Sequence, residues 1–232
     1  MNKDEFIQRM TSDKKSQSTI KRNIDYTAYF EKYLRNSKNK KLENAKPKDL
    51  VDFKVWGERS NPKNLRMHIR SISTYYKYLN MKQMVLKANE LVGSMELDQY
   101  RLSAFQGINK EFVNKLKNNG IKTAGQLLND GYTRKGRNAL SKTTEIPKAY
   151  LLELVKLSDL ARIPGVKKIR ARLYYESGLD TLAKIAECNA EQLRKISSEY
   201  IKKSGFDGVP PTPKEAEHTV ALAKYLKSHL EF

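Results

Sequence analysis

Two short turns in the second half of the sequence have the composition of anion-binding sites. They read Phe-Gln-Gly-Ile at residues 105–108 and Ile-Pro-Gly-Val at residues 163–166. Glycine lets the backbone turn tightly and approach a phosphate, and the N–H groups at the start of the following helix point towards an anion. The chemistry that this pattern predicts is therefore the binding of phosphate groups.

Basic residues surround these turns. No acid lies between Asp159 and Glu176, a segment that holds five cations. Positive side chains at a helix start add to the attraction that the helix dipole has for phosphate. The phosphate-contacting residues predicted at the two turns are Gly107, Asn109, Lys110, Arg162, Gly165, Lys167, Lys168, Arg170 and Arg172.

The two turns belong to an internal repeat. Residues of the same type recur at a constant offset of 58, without a gap. The matched pairs include Leu102 with Leu160, Gly107 with Gly165, Lys110 with Lys168, Gly120 with Gly178, and Thr123 with Thr181. Each copy predicts a helix, a tight turn, a second helix ended by glycine, and a short helix capped by threonine. Residues 99–232 are thus predicted to be a duplicated helical domain, with repeats at about 99–156 and 157–232.

This pattern resembles a tandem helix-hairpin-helix module over residues 99–203. The resemblance is to small domains of DNA repair proteins and to a helical family of unassigned function. In such modules the turn usually reads glycine, apolar residue, glycine, whereas the second glycine here is Asn109 in one copy and Lys167 in the other. Because lysine is disfavoured in a left-handed backbone, we expect Lys167 to contact phosphate through its side chain.

A second group of cations lies in the first half of the chain. No acid occurs between Glu58 and Glu90. Lys63, Arg66, Arg70 and Lys77 recur there at helical spacing, beside an apolar stripe of Leu65, Ile69 and Ile72. One helix with a core face and a cationic face is therefore predicted, and its cations are expected to contact DNA phosphates.

The order of helices in residues 1–94 resembles the core-binding, or SAM-like, domain of tyrosine recombinases and phage integrases. The resemblance rests on Ser18-Thr19-Ile20, on residues 45–50 (Ala-Lys-Pro-Lys-Asp-Leu), and on residues 64–79. It implies a bundle of four or five helices that wraps around duplex DNA. Recombinases carry a separate catalytic domain with a tyrosine nucleophile and arginine and histidine partners, and nothing after residue 95 supplies it. Binding without strand cleavage is the implication.

Composition agrees with an anionic partner. The 232 residues carry a net charge of +19, with 21 basic and 10 acidic residues up to residue 90 and 24 and 16 after it. Both halves are therefore basic, which favours a long anion contacted by both.

Period-two alternation is nearly absent while apolar residues recur every three or four positions, so the predicted fold class is all-α. Cys188 is the only cysteine, and no segment resembles a signal peptide or membrane span, so a cytoplasmic location is expected.

One further motif resembles a nucleotide-binding loop. Residues 131–138 read Gly-x-x-x-x-Gly-Arg-Asn, but the required lysine is Arg137, the required hydroxyl is Asn138, and no strand precedes the segment. Arg134, Lys135 and Arg137 are instead predicted to form another phosphate-facing patch. The three histidines are not spaced as metal ligands, so neither a metal nor a cofactor is expected.

The sequence as a whole predicts a non-catalytic protein that binds double-stranded DNA mainly by its backbone, with an architectural or accessory role in recombination or repair. A recombination or repair protein is a further expected partner. Two alternatives stay open. One is an adaptor that recruits a recombinase or nuclease through its helices, and the other is an RNA-binding protein.

Overall fold

The computed structural model describes residues 1–60, 62, 64–226, 228 and 230–232, and in these ranges it is all-helical without a β-strand. The predicted all-α class is confirmed. The helices are α1 (Lys3–Ser12), α2 (Gln17–Lys38), α3 (Pro47–Ser60), α4 (Leu65–Tyr78), α5 (Lys82–Leu97), α6 (Lys110–Asn118), α7 (Ala124–Gly131), α8 (Arg134–Thr144), α9 (Lys148–Leu160), α10 (Lys168–Glu176), α11 (Leu182–Glu187), α12 (Ala190–Ser204) and α13 (Pro213–Tyr225). Two 3-10 turns occur at Leu42–Asn44 and Leu102–Ala104.

The chain divides into two compact units, Met1–Val92 and Gly93–Phe232. In the first unit α4 packs mainly against α2, with α1 and α3 beside them. Phe30, Phe53, Ile69, Ile72 and Tyr76 are fully buried between these helices. Among the described residues, no helix is both long and apolar enough to cross a membrane.

Several helix starts fall where the sequence predicts them. The Ser16 hydroxyl caps α2 by accepting a hydrogen bond from the Thr19 backbone N–H at 3.3 Å. Pro47 and Pro213 are the first residues of α3 and α13, a position where proline loses no hydrogen bond. Helix α9 likewise follows Pro147 directly. Local capping chemistry is thus sufficient to place these four boundaries.

Other boundaries differ from the prediction. Helix α1 was not expected. Ser60, expected to open the third helix, is the last residue of α3, and α4 begins at Leu65. The adjoining Asn61 lies outside the described residues. Residues 211–214 predict a last helix that ends near Leu230, but this helix ends at Tyr225.

The sequence predicts a short helix from about Lys82 to Leu91, followed by a domain boundary at residues 93–98, but α5 continues through Gly93 to Leu97. Gly93 acts here as a packing residue, because a Cβ atom at this position would lie only 2.0 Å from the Arg162 carbonyl oxygen. The residues expected to form a domain linker are therefore helical, and the glycine permits close approach to the second hairpin turn.

The second unit contains the duplicated elements. Gly120 and Gly178 follow the second helix of each copy and have left-handed φ angles of +85° and +87°. Thr123 caps α7, and Thr181 caps α11, as predicted. The first copy lacks the predicted leading helix and has the 3-10 turn Leu102–Ala104 instead. The chain just before this turn is extended and is paired with the segment that precedes α7, through Leu102 N–H to the Lys122 carbonyl at 3.1 Å.

Candidate nucleic-acid interface

Helix α4 carries a stripe of cations on its solvent side. Arg66, Arg70 and Lys77 are spaced four and seven residues apart, which places them on one face. Arg70 and Lys77 are exposed and Arg66 is half-buried, while the opposite face is buried in the core of the first unit. The helix contains no acidic residue. Lys63, the fourth predicted member, lies outside the described residues.

A buried histidine supports this helix. His68 is stacked on Tyr26, with ring centroids 3.8 Å apart, and Tyr29 meets its edge at 5.1 Å. Its Nδ1 lies 3.2 Å from the Asn64 carbonyl oxygen. Burial lowers the pKa of His68, an effect that the Asn64 hydrogen bond only partly opposes. His68 is therefore an internal packing residue that favours its neutral form.

At the first hairpin turn, side chains already accept hydrogen bonds from several backbone N–H groups. Gly107 adopts the left-handed φ of +69° that a tight turn requires. The Asn109 side chain then caps α6 by accepting from the Glu111 N–H at 2.8 Å and from the Phe112 N–H. The Asn109 N–H itself donates to the Tyr150 hydroxyl at 2.5 Å. The N–H groups of Asn109, Glu111 and Phe112 are therefore already satisfied within the fold, which corrects the expected backbone contact of Asn109 with phosphate. The contact expected at Gly107 stays a prediction.

The helix that follows the second hairpin turn lacks the side-chain cap found after the first turn. Gly165 is exposed with φ +91°, and no side chain caps the α10 N-terminus that follows. The Lys167 ammonium group folds back to donate to the Ala161 carbonyl, and it lies 3.5 Å from Glu96. The expected side-chain contact of Lys167 with phosphate is thus corrected, because the ammonium group is used internally. Lys168, the next residue, is exposed.

Arg172 connects the two hairpins. Its side chain is only 5% exposed, and its Nε donates to the Gln106 carbonyl oxygen of the first turn at 2.8 Å. Its Nη1 binds Glu153 of α9, also at 2.8 Å. This contact brings the first turn against α10, whose N-terminus follows the second turn. Arg172 was predicted to contact DNA, but its burial gives it a structural role.

Arg162 and Arg170 are also used within the fold. Arg162 Nη1 donates to Asp159 and to the Tyr132 hydroxyl, each at 2.9 Å. Arg170 Nη1 donates to the Val209 carbonyl oxygen at 2.6 Å. Both side chains are largely covered, so their predicted role as primary DNA contacts is not supported by their placement.

The patch predicted on α8 divides into exposed and buried residues. Arg134 and Lys135 are exposed in the first turn of the helix. Arg137 is 4% exposed and donates to the carbonyl oxygens of Gly131, at 2.8 Å, and Tyr132, at 3.0 Å. Burial lowers the pKa of its guanidinium group. Arg137 therefore holds the α7–α8 junction, and only the first two cations are available to a ligand.

The glycines of this segment are explained by helix packing. A Cβ atom at Gly131 would lie 2.7 Å from the Val155 side chain of α9, and one at Gly136 would lie 2.0 Å from the Asp130 carbonyl oxygen. Both positions thus require glycine for steric reasons. Helix packing therefore explains the two glycines that make residues 131–138 resemble a nucleotide-binding loop.

Of the predicted cations that the structure describes, seven lie at positions where a polyanion could reach them. They are Arg66, Arg70 and Lys77 in the first unit, and Lys110, Arg134, Lys135 and Lys168 in the second. Lys110 and Lys168 are equivalent in the repeat and follow the two hairpin turns. The sequence does not predict the role of Tyr150, whose hydroxyl accepts a hydrogen bond from the first turn. Its partner Asn109 is 41 residues away in sequence, and no local pattern connects the two.

The second unit matches a known protein family. A family model described as a domain of unknown function, DUF4332, matches residues 106–226, more than half of the chain. The chain belongs to the DUF4332 family. The DUF4332 match begins in the first hairpin turn and ends directly after α13, so it includes both turns. No curated protein and no solved structure matches the chain significantly.

Proposed function

We propose that this protein binds double-stranded DNA through the phosphate backbone and does not alter it chemically. The observation that carries the proposal is the cationic stripe on α4, where Arg66, Arg70 and Lys77 share a solvent-facing side of a helix without acids. A solvated helix face usually mixes both charges, because opposite charges three or four residues apart stabilise the helix. A stripe of one sign instead favours a polyanion.

The second unit supports the same proposal by a different route. Lys110 and Lys168 are exposed at the starts of α6 and α10. Arg172 lies one helical turn beyond Lys168 and contacts the Gln106 carbonyl of the first turn, so the two hairpins form one structure. Two cations held at a fixed separation suit the regular spacing of phosphates along a duplex.

Contact through phosphates positions a protein without reading sequence. We therefore infer that binding is sequence-independent or depends on DNA structure. The resemblance of the first unit to the core-binding domain of tyrosine recombinases suggests an accessory role in recombination or repair. A nucleoid-associated location follows from such a role.

Charge alone does not separate DNA from RNA. The common single-strand RNA readers stack bases on an aromatic β-sheet. Within residues 1–60, 62, 64–226, 228 and 230–232 there is no β-strand that could form one. This observation favours duplex DNA, and a competition experiment with duplex RNA tests it directly.

The variant that tests the proposal is the double substitution Arg66→Gln and Arg70→Gln. We expect it to weaken binding to unrelated 20-base-pair duplexes by a similar factor, because phosphate contacts are independent of sequence. Fluorescence anisotropy at two salt concentrations measures the effect. The control is Lys54→Gln, which removes a cation that is already paired with Glu58 on α3. Equal affinities of the double variant and the wild type would refute a role for the stripe.

A further inference from the structure

A small apolar patch lies beside the start of α10. Among the residues that the structure describes, four large apolar side chains are exposed, and two of them, Ile169 at 41% and Val209 at 71%, form this patch. Ile169 lies in the first turn of α10, directly after the exposed Lys168. Val209 lies in the segment between α12 and α13. The patch thus joins two segments that are 40 residues apart in sequence.

Contacts within the fold hold these two segments together. Arg170 Nη1 donates to the Val209 carbonyl oxygen at 2.6 Å, which fixes the backbone that carries the Val209 side chain. A Cβ atom at Gly208 would lie 3.0 Å from Ile169 Cγ2 and 2.8 Å from the Phe206 ring. The glycine therefore lets the segment pack closely against α10. Val209 is exposed on an anchored backbone.

The first turn of a helix rarely favours an exposed apolar side chain. Acidic residues are favoured there, because they complement the positive end of the helix dipole. Helix α10 has no acid in its first turn, whereas the first copy of the repeat has the exposed Glu111 at the position equivalent to Ile169. The second copy therefore lacks an acid that would repel phosphate, and it presents an apolar surface instead.

The cations around the patch favour an anionic partner. Lys168 is exposed immediately before Ile169, and Lys202 and Lys203 are exposed at the end of α12. A surface that combines cations with apolar side chains complements the backbone of a nucleic acid, in which charged phosphates alternate with sugars.

Two acids near the patch do not reverse this balance. Asp207 is the only acid in the ten residues that follow Lys203. Glu215 lies 3.6 Å from Arg170 Nη2, which offsets its charge. The exposed lysines therefore outnumber the acids that remain uncompensated.

We propose that Ile169 and Val209 pack against deoxyribose rings of a DNA strand whose phosphate is bound by Lys168, and that this patch distinguishes DNA from RNA. The inference rests on the proposed function and deepens it, because charge alone does not make this distinction. Each sugar of a strand lies between two phosphates, so an apolar residue next to a phosphate-binding lysine is placed at a sugar. Ribose carries a 2′-hydroxyl group there. Against apolar side chains this hydroxyl loses water without gaining a hydrogen bond, which disfavours RNA.

The test compares the affinities for two 20-base-pair duplexes of one sequence, one of DNA and one of RNA, by fluorescence anisotropy. The double variant Ile169→Ser with Val209→Ser offers hydroxyl groups in place of the apolar patch. We expect the ratio of DNA affinity to RNA affinity to fall at least about fivefold, the effect of one hydroxyl group that no longer lacks a partner. Val209→Ser alone, at the more exposed position, should lower the ratio in the same direction.

The matched control is Val55→Ser, which makes the same change at a valine of α3 that is 43% exposed. This control should keep the wild-type ratio. Because all three substituted side chains are exposed, the variants should fold, and thermal unfolding checks this. A fall of the ratio in the control as large as in the double variant would contradict the assignment.

The outcomes separate the patch from the proposed function. If the double variant binds DNA with the wild-type ratio of affinities, the sugar contact is overturned while DNA binding stands, and the patch is then a surface for a protein partner. Equal affinities of the wild type for DNA and RNA would also overturn it. Binding of neither duplex by the wild type would contradict the proposed function itself.

Discussion

At the scale of single residues, whether a cation is buried or exposed depends on which oxygen atoms surround it. The Arg137 guanidinium group is directed at main-chain carbonyls of Gly131, Tyr132 and Glu231. The neighbouring side chains of Arg134 and Lys135 extend into solvent. A run of four residues therefore contains a structural cation and two that can bind a ligand, although the residue types are alike.

Substitution separates these two roles. Arg137→Ala should lower the free energy of unfolding by about 3 kcal/mol, because buried carbonyl oxygens lose a charged donor. Arg134→Ala should leave stability nearly unchanged, since the contact of Arg134 with Glu231 is made by its backbone N–H. Urea denaturation followed by circular dichroism measures both. Equal losses of stability would contradict the assignment of Arg137 to the core.

His68 makes stability depend on pH. Its pKa in the folded protein is below the ordinary value of 6.5, so the unfolded chain binds the proton more tightly. The contribution of His68 is complete above pH 6.5 and is lost as pH falls from there through the folded pKa. The free energy of unfolding should therefore decrease between pH 7.5 and 5.5.

The control is His68→Phe, which keeps an aromatic ring against Tyr26 and removes the titration. Its free energy of unfolding should change less over this range than that of the wild type. Asp52 and Asp180 do not interfere, because their pKa values are lowered from 3.8 and they lose their stabilising effect at more acidic pH. An unchanged pH dependence in the variant would exclude His68 as the source.

At the scale of elements, α5 approaches the backbone of the second hairpin turn closely at Gly93. Gly93→Ala places a methyl group in the path of the Arg162 carbonyl oxygen. We expect a loss of stability of about 2 kcal/mol or more, typical of overpacking against a rigid backbone. Ser94→Ala, at the exposed neighbouring position of α5, should be nearly neutral. Thermal unfolding of the two variants compares them, and similar melting temperatures would refute the packing role of Gly93.

The elements that were predictable are those specified by local chemistry. Capping by Ser16, Thr123 and Thr181 depends on residues within one helical turn, so the sequence alone predicts it. The glycine in α5 is explained instead by a contact with Arg162, which is 69 residues away from Gly93 and gives no local signal. Helix α1 had local signals that were not used, namely the Asn2 cap and the i, i+4 pair Phe6 and Met10.

The candidate site was predictable in position but not in detail. Glycine spacing located both turns, and Gly107 and Gly165 have the positive φ angles that such turns require. The partners of the polar groups are distant in sequence, as with Asn109 and Tyr150 or Arg172 and Gln106. Whether a cation near a turn is exposed or buried therefore depends on the tertiary fold.

At the scale of the whole molecule, the net charge of +19 is distributed over both units. Each unit carries exposed cations on its own surface. A long polyanion gains from many such cations through the release of its counterions, and this gain decreases with salt.

Both units should therefore contribute to the salt dependence of binding. The unit-specific pairs Arg66→Gln with Arg70→Gln, and Lys110→Gln with Lys168→Gln, should each reduce the slope of log K against log salt concentration by roughly one for every phosphate that is no longer neutralised. Lys195→Gln, an exposed lysine near Glu199 on α12, serves as the control for the second unit. If only one pair changed the slope, the other unit would not bind DNA.

Binding to duplex DNA is measured first as the affinity of the wild-type chain for a fluorescent 20-base-pair duplex at salt concentrations from 50 to 200 mM. We expect micromolar or tighter binding at the lowest salt and a slope of log K against log salt concentration of about −4 or steeper, which corresponds to the neutralisation of four or more phosphates. Absence of binding at 50 mM salt, or an affinity independent of salt, would contradict the proposed DNA binding.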